Sequence, residues 1–460
     1  MKVSFITLGC DKNTVDSERS LAQLADRGAE YAADTADADV IVINTCGFID
    51  AAKKESIDAI VEAGRMKEVG RCQAVVAVGC MVQRHRQELE AELPKVDLFL
   101  GAAEMDRMIP ELVARGLLPD RPVPHPGVRL FTGELPHVRY LKISEGCDHG
   151  CAFCAIPLMR GRHRSFGAEE VVREAQVLEA QGAREVNLVA QDLAHYGRDL
   201  RDGSSLTELL RRLLQETGVP WFRMLYLYSA GLTPALLELM AQEPRVLPYL
   251  DMPIQHASDL MLARMRRPER QRTIRDRVRL IRDVVPDVAI RTTCIVGFPG
   301  ETDGEFAELL AFLEEVQFDR VGAFTYSRQE GTQAAALDDD VPELVKQERL
   351  ERLTEIQRLV TAERYDARRG RTVQAIVDRE NEGGLIQART IWQADDVDGV
   401  TWIPASGVGA GTLLDVTITD VDDYDFRATL TRVVSPPGGP PRPRRPLPVA
   451  GASTMGSFGR

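Results

Sequence analysis

Cys147, Cys151 and Cys154 are spaced C-x3-C-x2-C, directly after the apolar segment YLKISEG. Thiolates at that spacing can wrap one compact metal centre. Three of them can hold three irons of a 4Fe-4S cluster, and the missing fourth protein ligand leaves one iron open to an outside donor. The alternative is a structural zinc ion with His149 or His163 as fourth ligand, because a closed zinc site wants four N/S donors. Zinc motifs usually come as two paired knuckles, whereas this is a single triad with an aromatic residue, Phe153, just before its last cysteine. Three more cysteines, Cys10, Cys46 and Cys80, close the segments VSFITLGC, DVIVINTC and QAVVAVGC. No short metal motif joins them. They read either as a second three-thiolate site or as small core residues, since free cysteine is commonly buried. Cys72, at the opposite end of its segment, and Cys294, inside another, read as packing residues.

Each triad needs elements to position it. The first region alternates those three apolar runs with helical stretches near Ser17 to Arg27 and Ala51 to Arg65, the pattern of a parallel α/β sheet. Loops at the carboxyl ends of parallel strands share one edge, so three cysteines distant in sequence can converge there. A Pro/Gly-rich stretch, LPDRPVPHPG from Leu118 to Gly127, marks the boundary of a first domain over residues 1–117. A longer α/β series then covers 133–364. Its expected strands are YLKISEG, EVNLVA, FRMLYLY, YLDMPI, AIRTTCIVG and RVGAFTYS, with helices such as Ala168 to Gln181 and Asp303 to Val316 between them. Short parallel strands with covering helices suggest a partial (β/α) barrel, whose chemistry sits at the carboxyl-end mouth. Beyond a charged helical linker near Pro342 to Arg364, residues 366–435 alternate in β fashion between Gly and Asp turns. That is the pattern of a small antiparallel β-barrel. The tail, 436–460, has too little apolar surface to order itself.

The pattern around Cys147 resembles the radical S-adenosylmethionine (SAM) signature C-x3-C-x-aromatic-C. Further segments fall in that superfamily's order: Gln191 and Asp192 just past the second strand, Gln255 and His256 after the fourth, and Gly297, Gly300 and Glu301 after the fifth. Taken singly, each is equally a strand-end polar group or a turn glycine. Their shared address at strand ends favours a cofactor role for Phe153, Gln191, Asp192, Gln255, Gly297 and Glu301.

The segments LGCDKNTVDSE, INTCGFIDAAKKESID, VGCMVQRH, YLKISEGCDHGCAFCAIPLMRGRHRS, NLVAQDLAHYGRDL, DMPIQHASD and IVGFPGET together resemble the methylthiotransferases, over nearly the whole chain to about Val434. The resemblance implies two 4Fe-4S clusters, one on Cys147, Cys151 and Cys154 and an auxiliary one on Cys10, Cys46 and Cys80. It also implies SAM as cofactor and a carboxy-terminal barrel of the TRAM type. Asp11 departs from it, since many relatives carry Pro after the first cysteine.

Composition narrows the partners. The chain has 460 residues, 44% hydrophobic and 28% charged, with eight cysteines and a net charge of -13. No apolar run reaches the ~20 residues needed to cross a bilayer, and the amino terminus lacks a signal-peptide pattern, so a cytoplasmic enzyme is expected. In a reducing compartment the cysteines point to metal or catalysis before disulfides.

Within the family some members modify a transfer-RNA adenosine and one modifies a ribosomal protein. NTCGFIDAAKKESID, LVAQDLAHYGRDL and RMLYLYSAG resemble the ribosomal-protein branch, which implies small-subunit ribosomal protein S-twelve as substrate. From residue 366 to 435, twelve acidic residues face seven arginines, a net of -5. An RNA-binding barrel should carry the opposite sign, whereas a basic protein would be attracted. The arginine run from Arg264 to Arg279 argues partly for RNA contact, or is an exposed helix face with interleaved acids. A tRNA methylthiotransferase is the alternative, and a non-enzymatic iron-sulfur carrier a more distant one.

Placing sulfur on an unactivated carbon defeats acid–base chemistry, because that carbon offers neither an acidic proton nor a leaving group. The resemblance implies a radical route: reductive cleavage of SAM to methionine and a 5'-deoxyadenosyl radical, hydrogen abstraction from the aspartate β-carbon, then sulfur delivery from the auxiliary site. A second SAM would supply the methyl group. An electron donor and a sulfur donor are required partners. The sequence assigns no general base.

Overall fold

A computed structural model describes residues 1–120, 129–131, 133–381 and 384–436. The first domain holds β1 (Lys2–Thr7), α1 (Asp11–Asp26), β2 (Glu30–Tyr31), β3 (Val40–Thr45), α2 (Asp50–Val69), β4 (Ala74–Gly79), α3 (Cys80–Glu92), β5 (Leu98–Gly101) and α4 (Met108–Ala114). Its sheet runs β2-β1-β3-β4-β5, every pair parallel. The central strands β3 and β4 are buried at every residue. This is why VIVINT and AVVAVG read as continuous apolar runs: helices cover both faces of a parallel sheet. The expected helix near Ser17 starts earlier, at Asp11, directly after Cys10. The Pro/Gly-rich boundary at 121–127 lies outside the described residues.

The second domain comprises β6 (Val138–Lys142), β7 (Ser144–Glu145), α5 (Ile156–Arg160), β8 (Arg164–Ser165), α6 (Ala168–Ala180), β9 (Glu185–Val189), α7 (Leu206–Glu216), β10 (Trp221–Met224), α8 (Pro234–Gln242), β11 (Val246–Asp251), α9 (Asp259–Arg264), α10 (Gln271–Val284), β12 (Ala289–Val296), α11 (Asp303–Val316), β13 (Arg320–Thr325) and α12 (Glu343–Asp366). Six strands pair in parallel and in sequence order, β6-β9-β10-β11-β12-β13, leaving the barrel open. Alternation along each strand sends Val186, Leu188 and Leu250 to the helix side, while Glu185, Asn187 and Tyr249 face inward. Local signals set the helix starts. At α11, Thr302 Oγ1 accepts from Glu305 N (3.2 Å) and Glu305 Oε2 accepts from Thr302 N (2.9 Å), a reciprocal cap.

The segment expected as a linker is α12, and it is part of this domain. Its buried Leu353 joins the second-domain core, and Gln357 Nε2 donates to Phe318 O at 2.9 Å.

β14 (Thr372–Asn381), β15 (Leu385–Thr390), β16 (Thr401–Pro404), β17 (Leu413–Asp422) and β18 (Asp425–Ser435) close into a barrel in the order β14-β15-β16-β18-β17. One pairing departs from the expected antiparallel pattern: β16 and β18 run parallel. The barrel packs on the inward face of the open sheet. Trp221 Nε1 donates to Gln374 Oε1 (2.6 Å), Tyr249 OH to Asp398 Oδ2 (2.7 Å), and Arg389 pairs with Glu185 (2.8 Å).

Asp378, Asp395 and Asp398, counted in the acidic surplus, therefore have buried carboxylates committed to internal partners. Part of the net -5 faces this seam and offers no field to a partner. The tail from 437 lies outside the described residues. Among the described residues no helix is long and apolar enough to cross a membrane.

Candidate functional site

The compact triad lies in the loop after β7. Cys147 N donates to Gly161 O and Cys154 N to Cys151 O, closing a small turn. The three sulfurs are near enough to act on one another electrically: burial pushes the Cys154 thiol up to about 12 and Cys147 to about 11, and neighbouring thiolates add to both rises. Thiolates gathered in a half-buried loop need a cation to balance them, and a thiol-bound metal supplies that charge. The donor set therefore fits a cluster. His149 is not placed as a fourth ligand: its Nε2 meets Asp192 Oδ2 at 2.8 Å and its ring stacks on Tyr228. His163 is turned to Ser165 and Asp199.

Topology assembles the dispersed triad. Cys10 caps the amino end of α1, Cys46 follows β3, and Cys80 opens α3, all at the carboxyl edge of the first sheet. Asn13 draws two of these loops together, donating from Nδ2 to Leu8 O (2.7 Å) and Thr45 O (3.2 Å). Ser56 Oγ accepts from Cys46 N and donates to Cys46 O, both at 3.0 Å. Gly9 has φ +90°, and a Cβ there would stand 2.7 Å from Cys46 Cβ, so only glycine lets these loops approach. Burial, then the charges of Cys10 and Cys80, push Cys46 up to about 12. These cysteines thus gather at the carboxyl edge of the sheet, and reading them as three independent core residues does not account for that. Cys72 and Cys294 are buried away from both triads, as expected.

The two triads meet across the domain boundary. Cys80 packs with Ala155 and Met159, and Ala155 is the residue after Cys154. From the same helix, Arg160 donates from Nε to Cys80 Sγ at 3.1 Å and pairs with Asp16 (2.6 Å) and Glu145 (3.3 Å). Lys142 joins both acids. Burial alone would raise Asp16, but Lys142 and Arg160 outweigh it and hold its carboxyl below the usual range. Glu145 in turn accepts from Gln191 Nε2 at 2.9 Å. Gln191 Oε1 is buried without a partner, an open acceptor beside the compact triad.

The other expected site residues divide. Phe153 packs with Ala152, Met261, Phe298 and Tyr326 under the loop. Asp192 accepts from His149, His195, Ala194 N and Tyr228 N. Burial raises its carboxyl, but these hydrogen bonds reverse the shift and leave it strongly acidic. Gln255 has φ +71° and bridges to β12 through Thr293 O and Ile295 N (2.8 Å each). His256 Nδ1 accepts from Ser258 N, so Nε2 carries the proton and donates to Glu301 Oε1 at 3.0 Å. The other Glu301 oxygen accepts from Arg349 (2.8 Å) and Gly297 N. Asp192 and Glu301 thus spend their oxygens shaping the strand-end turns. Gly297, at φ +71°, is the turn that Glu301 clamps.

Sequence reasoning missed Arg160 and Arg267. The second comes from the arginine run: it is buried, its Nη1 lies 3.7 Å from Cys151 Sγ, and its guanidinium covers the Tyr228 ring at 4.2 Å. Arg264 and Arg275 are spent on Glu305 and Glu315. Only the place of Arg160, six residues past Cys154 in IPLMRG, hinted at its role.

The open parallel sheet, the cysteine triad after its first strand and the polar strand-end turns define a radical SAM protein. The radical SAM superfamily model matches residues 141–313, the Uncharacterized protein family UPF0004 model residues 2–101, and the TRAM domain model residues 370–431. Solved structures show the same fold at low identity. The radical SAM methyltransferase TsrM from Kitasatospora setae, with tryptophan and a SAM analogue bound, has TM-score 0.53 at 14% identity, covering 70% of this chain and 72% of that one. The cobalamin-dependent SAM radical enzyme OxsB has 0.50 at 12%, covering 77% and 57%. Relatives in sequence are closer. Ribosomal protein uS12 methylthiotransferase RimO of Anaeromyxobacter sp. (strain Fw109-5) is 44% identical, covering 98% of this chain and 97% of its own. That of Geobacter sulfurreducens is 43% identical over 92% and 97%. The chain belongs to the ribosomal protein uS12 methylthiotransferase family and is a radical SAM methylthiotransferase.

Proposed function

We propose that the chain transfers a methylthio group to the β-carbon of an aspartate in ribosomal protein uS12, using two 4Fe-4S clusters and SAM in the cytoplasm. The observation that carries this reading is the approach of the two triads: Cys80 shares an apolar contact with Ala155, the residue after Cys154, and Arg160, from the helix that follows Cys154, reaches Cys80 Sγ. Cys147, Cys151 and Cys154 would hold the cluster that serves SAM, and Cys10, Cys46 and Cys80 the auxiliary one. Bound there, these groups supply the one-electron reduction, hydrogen removal, sulfur and methyl that no side chain offers.

The chain's own work is geometric. Gln191 Oε1, a buried acceptor, would serve the cofactor, the Gly297 turn would let backbone approach it, and Phe153 and Tyr326 would wall the loop against water. Arg160 and Arg267 each set a guanidinium beside a cysteine sulfur. Domain closure over Arg160 holds the target carbon between two sites. Reduction and sulfur resupply require an electron donor and a sulfur donor.

The test is mass spectrometry of uS12 and bulk tRNA from cells with and without the gene. A gain of about 46 daltons on one uS12 aspartate is expected, from replacing hydrogen by methylthio. Loss of a methylthio-adenosine from tRNA, with uS12 unchanged, would transfer the activity to RNA.

A further inference from the structure

Three lysines are buried among the described residues: Lys12, Lys142 and Lys346. Lys142 is paired with Asp16 and Glu145, and Lys346 with Asp339. Lys12, only 7% exposed, has no ion pair among the described residues. Its Nζ sits 3.3 Å from the centroid of the Tyr226 ring. The neighbouring carboxylate that could serve it, Asp11, accepts from Tyr226 OH at 3.0 Å. Burying a cation without a counter-charge is costly, and the ring face offsets only part of that.

Its place adds a second cost. Lys12 stands in the first turn of α1, where the helix dipole disfavours a cation and where Asn13 N and Thr14 N both donate to Cys10 O (2.8 and 3.2 Å). Cys10 gives that end no side-chain cap. Tyr226 is itself unusual, a tyrosine at φ +64° just past β10, at the mouth of the second sheet. Strained backbone of this kind gathers at functional sites. A buried lysine without an ion pair, the first turn of α1 and the Tyr226 ring therefore converge two residues from Cys10. An ammonium and a helix amino end are each stabilised by an anion.

We infer that Lys12 and the amino end of α1 seat the side-chain carboxylate of the target residue. This rests on the proposed aspartyl substrate and deepens it. In aspartate the carboxylate is bonded directly to the carbon that takes sulfur. Holding one therefore fixes the other beside Cys10, and an amide in its place would lose the charge.

The test uses the reconstituted full-length enzyme and two fluorescent peptides spanning the uS12 target, one with aspartate and one with asparagine. Anisotropy should show the wild type binding the aspartyl peptide about tenfold or more tighter, as for a desolvated charge-assisted contact. Lys12→Met keeps the apolar stem on Tyr226 and should abolish that ratio; Lys12→Arg should keep most of it. An unchanged ratio in Lys12→Met overturns the inference. So does a fall in SAM affinity with the ratio intact, which would give the ammonium to the methionine carboxylate. The wild-type peptide pair tests the charge preference even if a variant misfolds. If wild type adds no mass to the aspartyl peptide, the proposed substrate fails instead.

Discussion

The two cysteine triads reach similar surroundings by opposite routes. Cys147, Cys151 and Cys154 are held by one short loop, so their spacing along the chain nearly equals their spacing in space. Cys10, Cys46 and Cys80 come from three strand ends and meet only because β1, β3 and β4 lie side by side and in parallel. Burial raises the Cys46 and Cys80 thiols in one site and the Cys147 and Cys154 thiols in the other, and an arginine reaches one sulfur of each, Arg267 at Cys151 and Arg160 at Cys80. The local triad gains its order from a turn, the dispersed one from a whole sheet.

The sharpest way to break the comparison is to remove one cysteine from each. Cys151→Ala should abolish SAM cleavage, and Cys46→Ala should leave part of it while stopping methylthiolation. Each variant should bind about four fewer irons than the wild type, which on the proposed two-cluster reading should hold about eight. Equal loss of cleavage in two folded variants would refute the division of roles.

The next effect concerns the seam. Arg160→Gln leaves Asp16 and Glu145 short of a buried cation, and breaking such a pairing costs ~3–5 kcal/mol. Chemical denaturation should show a loss of unfolding free energy of that size, together with a changed electron-resonance signature of the auxiliary site. Arg267→Gln should alter the signature of the other site instead. If both arginine variants changed the same signal, the sites would not be separable as described.

Gly297→Ala probes the cofactor turn. Its φ of +71° and a new Cβ placed 2.3 Å from Lys346 Cγ should cost ~1–3 kcal/mol and weaken SAM binding, measured by calorimetry. Unaltered affinity would remove Gly297 from the cofactor's surroundings.

The smallest effect lies at the seam between barrel and sheet. Burial lifts the Asp395 carboxyl from its ordinary 3.8 to about 7, and Glu185 adds to the rise against the pull of Arg389. The folded chain then keeps a proton that the unfolded chain releases. The stability this contributes is full below about pH 4 and is lost as pH rises through about 7. The slope can reach at most ~1.4 kcal/mol per pH unit, the limit for one proton. Asp395→Asn should flatten that part of a denaturation-versus-pH curve; an unchanged slope would assign it elsewhere.

How much was legible in advance follows from range. Cys147, Cys151, Cys154 and the strand ends carrying Gln191, Gln255 and Gly297 could be placed from periodicity and spacing, because neighbours along a strand keep their order in the fold. Arg267 could not. In sequence it is one of many arginines in a charged run, and only the packing of the loop after α9 turns it inward to Cys151. The acidity of the barrel was legible as a sum but not by face: Asp378, Asp395 and Asp398 turn inward together with Arg368 and Arg389, which a count of charges does not say.

By itself the sequence determined the alternation of elements, the three-domain order, the two sets of cysteines and the family whose motifs they carry. These depend on local periodicity and on residue identity. Tertiary structure alone decided that the sets adjoin, that Arg160 reaches Cys80, that Asp378, Asp395 and Asp398 turn inward, and that Lys12 has no ion pair among the described residues. Burial and pairing are properties of surfaces brought together, and contacts between Cys80 and Arg160, or Lys12 and Tyr226, join residues 80 or more positions apart.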